Sequence, residues 1–220
     1  MSSAPSTGKS GPSGPREAAR AAREEVYREH ILAAAEKVFA AKTFEEAKVQ
    51  DISQEASLSM GSIYGLFAGK EQIFAAIVEK RGSEILELVR EVMMAERDPL
   101  GTLQALANTY IDYLYEHPEF LQMNLRTGAA WSLRPRTQDN VAAQIHEAQT
   151  EIFRRGIDAG VFVDEDPTYL ATLFTGIDQI HLAHWVHNGL RESREELREG
   201  FLRTVRRTFL RATDGPKEKP

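Results

Sequence analysis

Apolar residues along this chain recur every three to four positions, the spacing that lines one face of a helix. A first long helix is expected from Arg16, with Ile31, Leu32, Ala35, Val38 and Phe39 as its buried stripe. Two short apolar sets follow: Val49, Ile52 and Ala56, then Leu58, Ile63 and Phe67. Ser57 and Ser59 between them bring turn and capping chemistry, because a serine oxygen accepts from free N–H groups at a helix start. Gly69 can open a long helix running through Phe74, Ile77, Val78, Ile85, Leu88, Val89 and Val92.

From about Asp98 onward no convincing strand is found. Leu103, Leu106, Tyr110 and Leu114 form a stripe that stops at His117-Pro118. Phe120, Leu121 and Leu125 mark a short helix, and 128–135 reads as irregular. Val141, Ile145, Ala148 and Ile152 mark another helix, ending near 156–160. Asp166-Pro167 opens a helix carrying Leu170, Leu173, Phe174, Ile177, Ile180 and Trp185, and Leu197, Phe201, Val205 and Phe209 mark the last. About nine helices are expected, and the fold class is all-α.

Two short helices sharing one buried seam cannot stand alone; their usual purpose is to hold the second rigidly outward, where it can enter a DNA groove. The residues are specific on this point. Ile31 to Phe39, Phe44, Val49-Gln-Asp-Ile52 and the run Gly61-Ser-Ile-Tyr-x-x-Phe-x-x-Lys-Glu71 closely resemble the DNA-binding end of the TetR repressor family. The chain departs from the family pattern at Thr43 and Ser57, where glycine is favoured, at Lys48, where threonine is, and at Leu66. At the corner, Ser57 enters positive φ less readily than glycine would.

The resemblance implies a three-helix helix-turn-helix DNA-binding domain over 16–69 and a connecting helix over 70–95. A helical effector-binding and dimerisation domain would follow over 96–213, with tails at 1–15 and 214–220. The first tail is rich in Ser, Gly and Pro, a composition that predicts disorder. A helix over 60–67 is expected to read the DNA, with Met60, Gly61, Ser62, Tyr64 and Gly65 outward. That set holds no Arg, Lys, Asn or Gln, the side chains whose bidentate base contacts are worth about 1–3 kcal/mol each. Direct base reading is therefore expected to be thin, with Lys48, Gln50, Ser59 and Ser62 adding polar contacts. The resemblance also assigns phosphate contact to Tyr64 and Lys70, the latter beside the free N–H groups of a helix start. Arg16, Arg20 and Arg23 read either as a basic arm on DNA or as a solvated face interleaved with Glu17, Glu24 and Glu25.

A net charge of −6 argues against wholesale nucleic-acid coating, yet a site-specific reader needs positive charge on one face only. The absence of cysteine excludes disulfides and thiolate metal sites and fits a cytoplasmic protein. No apolar run of signal-peptide or membrane-spanning kind is present, so no membrane partner is expected. No nucleophile–base pair, phosphate-cradling glycine loop or His-Glu-x-x-His helix stands out, so no enzyme activity and no cofactor are expected.

By resemblance, two copies pair through the last two long helices, about 166–187 and 193–212, to bind a palindromic double-stranded DNA operator. A small-molecule effector would release this repressor. Apolar residues on more than one face of the first of those helices fit such a homodimer, and Phe201, Val205 and Phe209 are partner-face candidates on the second. Tyr110, Phe120, Met123, Trp131, Phe153, Phe174, His181 and Trp185 are candidates for lining the effector pocket, against the plainer reading that apolar residues at helical spacing are core. Arg126, Arg134 and Arg136 bracket Trp131 and hint at an anionic group on the ligand. The alternative function is a helical metal-dependent enzyme using His181, His184 and His187 with Asp178 or Glu192. The third of these histidines is rotated far from the first, which weighs against one ion holding all three.

Overall fold

The structure is a computed structural model describing residues 14–95, 98–126 and 141–212. Trp131, Arg134, Arg136 and most of the two tails lie outside the described residues. Within them the chain forms α1 (Pro15–Ala41), α2 (Val49–Glu55), α3 (Met60–Tyr64), α4 (Lys70–Met94), α5 (Pro99–Glu116), α6 (Pro118–Arg126), α7 (Val141–Asp158), α8 (Pro167–His187) and α9 (Arg194–Phe209). None of these is long and apolar enough to cross a membrane.

Most helix starts carry a visible chemical cause. Pro15, Pro99 and Pro167 occupy first-turn positions, where a missing N–H costs nothing. Asp98 accepts the Gly101 N–H at 2.9 Å, and Asp166 accepts the Tyr169 N–H at 2.7 Å. Ser193 and Glu196 close a reciprocal capping box on α9. The α2–α3 corner turns through Ser57 at φ 51°, a left-handed conformation unfavourable for a residue with a Cβ. At the end of α7, a Cβ on Gly156 would lie 2.0 Å from the Phe162 ring, so only glycine fits there.

The reading helix is shorter than the expected 60–67. It stops at Tyr64, because Leu66 and Phe67 both donate to the Ile63 carbonyl in a tight turn that swings Phe67 into the core. Helix α1 packs on α2, α4 and α6, while α4 reaches on to α5 and α7, and α8 packs on α7 and α9. The 25 residues of α4 span about 37 Å at ~1.5 Å per residue, so one rod runs from the reading head into the helical half. Phe39, Phe44 and Phe74 pack together at the head end. Phe153, Phe162, Phe174 and Phe209 do so at the other.

The partner-face expectation for α9 is corrected here. Phe201, Val205 and Phe209 are fully buried within their own chain, because α9 needs that stripe to seat against α5 and α8.

Candidate nucleic-acid interface and effector site

Ile63 anchors α3: it is fully buried in the core that also holds Ile52 and Phe67. One inward residue therefore fixes which way the others point. Gly61, Tyr64 and Gly65 are exposed, Met60 and Ser62 half-buried, and the Tyr64 ring keeps 54% of its surface free. Ser59 caps the helix by accepting the Ser62 N–H at 3.1 Å, and the two hydroxyls stand 2.8 Å apart. Two hydroxyl hydrogens serve that pair and one is consumed within it, so one donor is left to offer outward.

At the start of α2, Lys48 and Gln50 are exposed on the same end of the molecule. Asp51 accepts the Lys48 N–H at 2.9 Å and pairs with Lys42 at 2.8 Å. Lys42, then the Lys48 N–H, hold the Asp51 carboxyl below the usual carboxylate range.

Lys70 is engaged within its own chain. Its ammonium donates to the carbonyls of Phe44 (2.6 Å), Glu45 (3.3 Å) and Ala47 (3.1 Å), and sits 4.6 Å from the Phe44 ring centroid. An ammonium has three hydrogens and all three are engaged in closing the α1–α2 loop. In this arrangement Lys70 shapes the platform on which α2 and α3 sit. Arg28 of α1 lies 4.7 Å from the Phe67 ring, just past the end of α3. Arg16, Arg20 and Arg23 are exposed on α1. Arg20 pairs with Glu24, and Arg23 lies 5.9 Å from the Tyr27 ring centroid, as a solvated helix face would have it.

Head and helical half meet at a buried ion pair. Arg81 of α4 makes two bonds to Glu36 of α1, 2.6 and 2.8 Å, and a third to Glu84 at 3.0 Å. Tyr113 of α5 donates to that same Glu84, and His117 stands 3.4 Å from the guanidinium. Burial, with Arg81 beside it, pushes the His117 pKa down.

The expected effector residues fall into three groups. Tyr110 lines a small cavity between α4 and α5, with Ile85, Leu88, Val89, Leu106 and Tyr113. At about 10 Å³ that cavity has room for at most one water. Phe120, Met123, Phe153 and Phe174 are core: all four are buried, and Phe153 and Phe174 belong to the aromatic cluster above. Trp185 stacks on Tyr115 and donates to the Glu192 carbonyl at 3.2 Å, closing the α8–α9 corner. His181 bonds Thr204 at 3.0 Å and His184 bonds Asn188 at 2.9 Å. Among the described residues no group of three or more potential ligands is placed to hold a metal ion, and the metal-enzyme alternative gains no support.

A short helix held outward on a helix-turn-helix, joined by one rod to an all-helical body, defines a DNA-binding regulator. The sequence signature of the family described as "Bacterial regulatory proteins, tetR family" matches residues 31–77. The chain is 29% identical over 141 residues to the HTH-type transcriptional repressor NicS of Pseudomonas putida. That match covers 64% of this chain and 66% of NicS, just under two thirds of its length. The fold is similar to PfmR, a TetR-family regulator of Thermus thermophilus, with TM-score 0.67 and 24% identity over 81% of this chain and 97% of that one. It is also similar to FadR of Bacillus subtilis in complex with stearoyl-CoA, with TM-score 0.66 and 17% identity over 80% and 96% of the two chains. The signature over 31–77, the likeness to a named repressor and these folds together support a TetR-family transcriptional regulator.

Proposed function

We propose that this protein is a homodimeric repressor that binds a palindromic operator and lets go when a small molecule enters its helical half. The observation that carries the reading is the placement of α3: one buried anchor, Ile63, with Gly61, Ser62 and Tyr64 turned outward. Ser59, Met60, Lys48 and Gln50 complete the contact set. With no Arg, Lys, Asn or Gln on α3, each head reads few bases, so two copies on one duplex are needed for specificity.

A surface for pairing is available on α8. Its inner stripe is Leu170, Phe174, Asp178, Leu182 and Trp185. The opposite stripe leaves Tyr169 53% and Ile180 60% exposed, with open space over Gly176 between them. An apolar face of this kind on a long helix suits a second copy of the same helix. NicS is named a repressor, which supports that direction of control here. The stearoyl-CoA complex of FadR supports a ligand-responsive helical half.

The cavity position suggests how a ligand would act. Enlarging a space between α4 and α5 displaces α4, and α4 begins shortly after α3 ends. A ligand that prefers the displaced form must shift the heads away from the spacing DNA requires, since equal affinity for both forms would shift nothing. Titration of DNA from upstream of the gene tests the proposal. Tight, salt-dependent binding that unrelated DNA fails to compete away is the expected result, and equal affinity for any duplex contradicts it.

A further inference from the structure

Asp178 is an acid where α8 should be apolar. It sits in the middle of the inner stripe with Phe174 before it and Leu182 after it, and only 7% of its surface is exposed. Its Oδ1 is buried with no hydrogen-bond partner. Burial pushes its pKa well up, and among the described residues no cation pulls it back. Carboxylates are rarely buried unless paired, and among the described residues this one has no counter-charge. Around it the chemistry is aromatic and weakly polar. Tyr110, which lines the α4–α5 cavity, is the phenol on which the Asp178 charge acts. One turn earlier on α8, Thr175 donates to the buried Gln149 of α7 at 3.1 Å.

We infer that Asp178 is the polar anchor of the effector site and that the effector is an apolar organic cation, an ammonium or protonated nitrogen heterocycle carrying a hydrocarbon or aromatic group. The inference rests on the proposed effector reading and narrows its chemistry. A cation brought next to Asp178 in a water-poor interior gains a strong ion pair, and the Tyr110 ring adds a face that attracts positive charge. An anion would meet an unpaired acid instead. The sequence hint of an anionic ligand draws on Arg126, Arg134 and Arg136. The last two lie outside the described residues, and Arg126 is exposed at the end of α6, where its charge acts on Glu46 of the α1–α2 loop.

The test uses the full-length protein and three probes of matched shape: phenethylammonium, 3-phenylpropanoate and 2-phenylethanol. Calorimetry should show the ammonium binding at least about tenfold more tightly than the other two, a difference that Asp178→Asn removes. Thermal melts of the unliganded protein add a measurement that needs no ligand. Asp178→Asn and Asp178→Leu should each raise Tm by a few degrees, because a group retained for binding costs stability. Equal or tighter binding of the carboxylate or the alcohol, no binding of any probe at millimolar concentration, or a lowered Tm in both variants overturns the inference. Operator binding without ligand is measured in parallel. If it persists while the probes fail, the charge class is wrong and the regulator reading stands; if it is absent, that reading fails.

Discussion

The two ends of this molecule treat polar groups differently. In the reading head the side-chain donors and acceptors find partners nearby: Ser59 with Ser62, Thr43 with Glu46, Lys70 with three carbonyls. In the helical half they do not all succeed. Among the described residues, the buried side-chain atoms without a partner belong to Asn108, Asp112, Asp178 and Arg198, every one on α5, α8 or α9. Such orphans are costly, and native proteins keep them where something else completes the structure. Among the described residues, no buried side-chain atom of the head is left without a partner. The helical half keeps such atoms, Asp178 Oδ1 among them.

The joint between the two should be the most sensitive point. Arg81→Met leaves Glu36 of α1 buried without its guanidinium, a change expected to cost about 3–5 kcal/mol in denaturant unfolding. A loss of less than ~1 kcal/mol would mean that the two ends are not tied through this pair. Breaking the reading head comes next. Lys70→Ala removes the ammonium from the Phe44, Glu45 and Ala47 carbonyls and should lower stability by about 1.5–3 kcal/mol, with DNA affinity reduced for all sequences alike. If affinity falls while stability holds, the lysine acts on phosphate and not on the platform. The smallest effect sharpens the contrast from the stabilising side. Ser57→Gly relieves a left-handed serine and should raise stability by about 1 kcal/mol, read from the same unfolding curves.

Local features are legible in the sequence and long-range ones are not. Helices α1, α4, α5, α8 and α9 show through apolar spacing and through caps such as Asp98, Asp166 and Ser193, all of which act within four residues. The end of α3 is hidden because its stop depends on Phe67 turning into a core assembled from α1 and α4. Lys70 stands out for its place in a motif, but its partners lie 23 to 26 residues away. Phe201, Val205 and Phe209 look available to a partner because periodicity shows that a face is apolar, never what covers it. Asp178 is obscured for a related reason. An acid next to Ile177 reads as solvated or metal-bound until the packing of α8 shows it facing inward.

Paired α3 helices are proposed to read one duplex. A hydroxyl-radical footprint on DNA from upstream of the gene tests it most directly, using wild type and Tyr64→Ala. Two protected half-sites related by a twofold are expected, about one helical turn of ~10 bp or a multiple apart, both faded in the variant. A single unpaired patch, or two patches that Tyr64→Ala leaves unchanged, would contradict it.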